Sequence, residues 1–330
     1  MTTTDRRRFL AGSLSGLAGL TSAPLLGALA GCQQLPSPQG AGASAGEQAS
    51  RAAALTSEKL TERITVIGGA PGNVVALSAS DGVVLVDSGS AAMAKAVRAS
   101  LGHARVTTLI DTHYHDDQTG GNVLFGAAGA TIHSHEITRE WLATDYYVPA
   151  EDRWVRALPK VGQPTATFRE KAEWKAGTES IECGYLLEAH TRGDIYVFFR
   201  DSNVLAVGCV SSPARDPALD WYAGGWIGGR LDALSDLVKL ANGETRIVPA
   251  YGPVLSRAQL MAERDMMQYL YTRTTELTDH GRSARDMLDE GVMNEVAQKF
   301  HRTFDDPYKF LYDVSKGLWA HYTNFGGNVV

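Results

Sequence analysis

Between residues 63 and 87 the apolar positions fall in short runs separated by polar and glycine residues. Residues 63–67, 73–77 and 82–87 each read as a strand. The last two are joined by Ser78-Ala79-Ser80-Asp81-Gly82, a hairpin-type loop ending in Asp-Gly. A helical spacing follows. Met93, Val97 and Leu101 lie four apart and predict a helix over 91–101, followed by a buried strand at 107–112. The strand signal returns at 185–189, 194–199 and 203–207, with a helix at 231–240 and a strand at 245–249. Residues 256–322 are mostly helical by pattern. Strands, helix, strands and helix thus occur twice, which predicts a layered α/β protein of two facing half-units.

Composition narrows the class. The 330 residues carry a net charge of −6 and are 44% hydrophobic, enough to bury a sizeable core and too apolar for a disordered chain. The mild acidity argues against a nucleic-acid binder held by phosphate neutralisation. Three cysteines are too few for a disulfide scaffold.

The first residues have their own logic. Arg6-Arg7-Arg8-Phe9-Leu10 leads into an apolar, Gly/Ala-rich stretch that closes on Leu29-Ala30-Gly31-Cys32. A basic start, an apolar middle and a small-residue end are the parts of an export signal. The arginines resemble a twin-arginine signal, and Leu-Ala-Gly-Cys resembles a lipobox. The expectation is a signal peptide over 1–31, cleavage before Cys32 and acylation of its thiol; an uncleaved membrane anchor is the alternative. Either way the folded part lies outside the cytoplasm. The lipobox implies the periplasmic side of a membrane, the outer one in a Gram-negative cell. Residues 32–57, rich in Gln, Ser, Ala, Pro and Gly, read as a flexible tether, and 58–330 as one folded domain.

The candidate chemistry follows the 107–112 strand, in His113-Tyr114-His115-Asp116-Asp117-Gln118-Thr119-Gly120-Gly121-Asn122. His113, His115 and Asp117 alternate, so a loop leaving a strand turns imidazole and carboxylate to one side, a donor set that suits zinc. Gly120-Gly121 permits a tight backbone path beside a site. His190 ends a predicted strand in His190-Thr191-Arg192-Gly193-Asp194, where Asp194 can accept a hydrogen bond and hold a ligand in place.

Together these segments resemble the metallo-β-lactamase-fold metallohydrolases. The matching motifs are His113-Tyr114-His115-Asp116-Asp117-Gln118, His190-Thr191-Arg192-Gly193-Asp194, Val207-Gly208-Cys209 and Pro249-Ala250-Tyr251-Gly252-Pro253. The resemblance covers about residues 60 to 275 and implies an αββα four-layer sandwich, here with a helical C-terminal extension. It implies a first metal site of His113, His115 and His190. It places the second site at Asp117, Gln118, Cys209 and Tyr251. There Gln118 and Tyr251 replace the family's histidines, leaving Asp117 and Cys209 as the good ligands of a degenerate site.

Three imidazoles with one open position form a catalytic zinc arrangement that supplies hydroxide near neutral pH. The expected function is a mono-zinc hydrolase acting on a small molecule with an electrophilic carbonyl: a lactam, lactone, ester or thioester. Asp117 would orient the water, and Tyr251 would donate a hydrogen bond to substrate or merely fill the volume of a lost ligand. Trp221, Tyr222 and Trp226 suit the wall of a groove for an apolar or ring-shaped substrate, or packing beneath a loop. Cys209 has three readings: a ligand, an inert thiol, or a disulfide partner of Cys183. His133 and His135 are expected to be structural. A non-catalytic or scavenging binding protein on the same scaffold is the alternative function, and a redox role for Cys183 and Cys209 another.

Overall fold

The computed structural model describes residues 55–148 and 152–323. The export segment, Cys32 and all but the end of the tether lie outside the described residues.

Two sheets face each other. The first is built from β1 (Thr56–Lys59), β2 (Ile64–Gly68), β3 (Val74–Ala79), β4 (Gly82–Val86), β5 (Val106–Ile110), β6 (Thr131–His135) and β9 (Ala166–Phe168), adjacent in that order. The small pair β7 (Tyr146–Val148) and β8 (Arg153–Val155) stands apart from it. The second sheet runs β10 (Lys171–Ala176), β11 (Glu179–Tyr185), β12 (Ile195–Phe199), β13 (Val204–Gly208) and β14 (Arg246–Pro249).

Successive side chains along a strand point to opposite faces, which sorts them between layers. On β3 and β4, Val75, Leu77, Val84 and Val86 point between the sheets, against Ile181, Val197, Phe199 and Val204 of the second sheet. Val74, Ala76, Val83 and Leu85 point the other way, onto Val97 and Phe125. These belong to α1 (Ala94–Ser100) and α3 (Asn122–Ala127). On β13, Val204 and Ala206 face inward. Leu205 and Val207 instead face α5 (Ile227–Leu240), α6 (Arg257–Asp279) and the later helices. Those are α7 (Ala284–Asp289), α8 (Val292–Phe300) and α9 (Pro307–Tyr322). The period of two thus yields helix, sheet, sheet, helix, the expected four-layer sandwich with C-terminal helices.

Three differences have local causes. The last two residues of the expected tether, Thr56 and Ser57, already pair on the edge strand β1. The apolar run at 185–189 is a loop: the strand is Glu179–Tyr185, after which Leu186 drops under the helices and Glu188 takes a φ of 52°. Helix α5 begins at Ile227, ahead of the expected 231, and takes in Gly228-Gly229 despite their poor helix propensity. A Cβ on Gly229 would meet the Glu188 carbonyl oxygen at 2.2 Å, so close packing demands the glycine.

Candidate metal centre

Strand β5 ends at Ile110, and the chain runs out through Asp111 and Thr112 to His113, Tyr114 and His115 before the one-turn α2 (Asp116–Thr119). His190 arrives from the second sheet, on the loop between β11 and β12. The three imidazole rings form a near-equilateral triangle, with centroids 4.9, 4.9 and 4.8 Å apart.

The hydrogen bonds fix which nitrogen of each ring faces the centre. Nδ1 of His190 lies 2.9 Å from the Ala218 carbonyl oxygen, which can only accept, so Nδ1 carries the proton and Nε2 a lone pair. Nε2 of His115 donates to the Asp220 carboxylate at 3.0 Å, leaving its Nδ1 with the lone pair. Thr112 Oγ1 donates to Asp87 at 2.9 Å and therefore accepts from Nδ1 of His113 at 3.1 Å. Nε2 of His113 is buried and has no partner. Nδ1 of His115 and Nε2 of His190, two lone-pair nitrogens, are 3.1 Å apart. Such an approach is repulsive unless a proton or cation sits between them. The outward nitrogens are held as those of metal-ligating histidines usually are.

The electrostatics agree. Burial, reinforced by the neighbouring imidazoles, pushes the pKa of His113 well below the usual histidine value. Burial and the charge of His115 bring His190 down to about 3. Burial also opposes charging of His115, but the Asp220 hydrogen bond and charge outweigh it and raise its pKa. Burial would raise Asp220 as well, yet the bond to His115 holds it at about 2. Two rings therefore keep free lone pairs through mild acid, while the third can hold a proton.

Asp194 does not touch a ring. It accepts the backbone N–H groups of His190 and Thr191 at 2.6 and 2.7 Å and the Thr191 hydroxyl at 3.0 Å, which sets the loop presenting His190. Ligand atoms of His113, His115 and Asp117 lie within 4.8 Å of one another, as do those of His113, His190 and Cys209. Asp117 is half-buried, and burial raises its carboxyl pKa. Cys209 is raised well above the normal thiol range by burial and by the charges of Asp117, Asp194 and Asp87. Beside them, Gln118 donates from Nε2 to the Tyr251 hydroxyl at 3.2 Å, and its buried Oε1 has no partner. The Arg215 guanidinium lies 3.5 Å over the Tyr251 ring.

A cavity of about 360 Å³ opens beside His115 and His190. Trp221, Tyr222, Tyr146 and Leu219 line it, together with Lys309 and Asp313 of α9. Trp226 is not among its walls. It precedes α5 and stacks on His321 at 3.6 Å, so it fastens the C-terminal helix. Cys183 and Cys209 are both free thiols, Cys183 fully buried between the sheets, so the structure does not join them in a disulfide. His133 stacks on Trp174, and His135 caps α4 (Glu136–Ala143) by accepting from Ile137 N. Asp220, Arg215 and Arg230 were not singled out in the sequence, where no spacing ties them to the histidine motifs.

Three imidazoles that converge where the two sheets of an αββα sandwich meet, with their outward nitrogens partnered, form a donor set of the kind that holds a metal ion. The chain belongs to the Metallo-beta-lactamase superfamily, whose model matches residues 67–265. Its curated relatives include the type 2 metallo-beta-lactamase of Bacillus cereus, 25% identical over 203 residues, which span 60% of this chain and 73% of that one. The type 2 enzyme of Elizabethkingia meningoseptica is 30% identical over 108 residues, 32% of this chain and 37% of that one. Among solved structures, a metallo-beta-lactamase from Pontibacter korlensis superposes with a TM-score of 0.53 at 19% identity, covering 65% of this chain and 99% of that one. A double mutant of the sec-alkyl sulfatase PisA1 gives 0.57 at 15% identity, covering 86% of this chain and 52% of that one.

Proposed function

We propose that this protein is a zinc-dependent hydrolase of small molecules with an electrophilic carbonyl, using one zinc ion held by His113, His115 and His190. The observation that carries this reading is the inward pair of His115 Nδ1 and His190 Nε2, 3.1 Å apart, with both opposite nitrogens already partnered. The orphaned Nε2 of buried His113 completes a three-nitrogen donor set that would suit a zinc ion.

A zinc ion held by these three residues would lower the pKa of water towards neutrality and so provide the nucleophile. Asp117, beside His115, orients the attacking water and takes its proton. The cavity beside His115 and His190 receives the remainder of the substrate against Trp221 and Tyr222. Tyr251 donates a hydrogen bond to developing negative charge. Lactams, lactones, esters and thioesters share this requirement. The sequence from Arg6 to Cys32 supports export, lipid attachment at Cys32 and work on the periplasmic side of a membrane.

Metal analysis of the purified protein tests the reading. About one zinc per chain, lost in His190→Ala, is expected, with turnover of a chromogenic lactam or lactone that a chelator abolishes. Zinc without turnover across the carbonyl series would favour a scavenging binding protein. Absence of zinc would overturn the catalytic reading.

A further inference from the structure

The second cation position of this fold keeps only part of its ligand set here. Asp117 and Cys209 remain: ligand atoms of Asp117, His113 and His115 lie within 4.8 Å of one another, as do those of Cys209, His113 and His190. Gln118 offers a neutral amide, engaged with Tyr251 through Nε2 and unpartnered at the buried Oε1. Tyr251 offers a phenol where the family has an imidazole. The cation present is the chain's own. Arg215 lies over the Tyr251 ring, 3.5 Å from its centroid, and its charge acts on Asp117.

Arg215 is held from behind. Its carbonyl oxygen accepts from Arg302 at 2.5 Å, as does that of Ser212 at 3.1 Å. The next residue, Asp216, accepts the backbone N–H groups of Asp305 and Asp306 at 2.9 and 2.8 Å. The segment before α9 therefore clamps the loop on both sides of Arg215, and the guanidinium stacks on a ring that Gln118 anchors.

We propose that Arg215, with Tyr251 and Gln118, fills the position of the family's second cation and stabilises the leaving group of the substrate. In the hydrolysis proposed above, the water oxygen bonds to the acyl carbon. The bond from that carbon to the leaving oxygen, sulfur or nitrogen breaks, and the electron pair stays on the leaving atom. The guanidinium and the phenol face that charge, and Asp117 passes it the proton taken from water. Atoms balance as acid plus protonated leaving group, with no further reactant. A planar cation also excludes a second metal ion from the same space by charge and volume.

The leaving-group role rests on the hydrolase reading; the exclusion of a second metal does not, and the two are tested separately. Zinc titration of the wild-type protein should saturate at one equivalent. Gln118→His with Tyr251→His should add a second, weak equivalent, and adding Arg215→Ala should tighten it at least ten-fold. Two equal equivalents in the wild type, or a second affinity indifferent to Arg215, would overturn the proposal. Should the histidine pair fail to fold, Arg215→Met in the wild-type background carries the test. It should keep one zinc and lower kcat about 100-fold, with a smaller change in KM and partial recovery in Arg215→Lys. Across aryl esters the loss should grow as the leaving phenol becomes more basic. A loss uniform along that series would mean that Arg215 only supports the loop, and would sink the leaving-group role.

Discussion

His190 and Arg230 meet at one atom, the carbonyl oxygen of Ala218, which accepts from Nδ1 of His190 at 2.9 Å and from Nη1 of Arg230 at 3.0 Å. Arg230 is fully buried on α5 and lies 3.6 Å from Glu263 of α6, whose carboxylate also accepts from Ser211 and Ser212. The loop that begins at Cys209 and ends at Asp220 is therefore gripped from the helical layer. Arg230→Met should weaken zinc binding about 10- to 100-fold and cost about 3 kcal/mol of stability by stranding Glu263. Adding Glu263→Leu should restore much of the stability in urea titration and little of the zinc affinity.

Zinc affinity should depend on pH through His115. Its pKa is raised in the folded chain, chiefly by Asp220 working against burial. A proton on this ring competes with the metal. Affinity should fall about ten-fold per pH unit below the raised value and level off above it. Asp220→Asn should move that bend to lower pH. Isothermal titration across pH 5 to 8 checks the direction; a bend unmoved by Asp220→Asn would count against the pairing.

The two aromatic candidates should separate. Trp226 packs on His321 and against Gly317, away from the cavity. Trp226→Ala should destabilise the fold by about 3 kcal/mol and move KM less than two-fold. Tyr222, half-buried at the cavity wall, should behave oppositely. Tyr222→Ala should raise KM several-fold and leave the urea midpoint nearly in place.

The thiols should be reduced. With Cys32→Ser, two thiols should titrate in denaturant with or without prior reductant, because Cys183 and Cys209 are free. In the native protein Cys183 should resist modification, since it is fully buried and its pKa is pushed up by burial. No titratable thiol without reductant, and two after it, would point to a disulfide that the fold does not contain.

The sequence by itself determined the layers. The apolar runs at 73–77 and 82–87 are strands whatever their neighbours, and the structure buries both faces of each. It also picked out the three imidazoles that converge, because His113 and His115 are local and His190 stands in a turn of recognisable form. The parts it misread or left out depend on distant chain. The run at 185–189 is apolar because Leu186 packs beneath helices that come later, and the glycines that open α5 answer to Glu188 rather than to helix propensity. Asp220 lies 105 residues from His115, and Arg230 reaches His190 only through Ala218. Which nitrogen of each imidazole faces inward, and which cation stands over Tyr251, are set by contacts between layers. A linear pattern records side-chain polarity at each position, whereas hydrogen-bond direction and charge placement exist only after the two sheets and the helical layer have closed on one another.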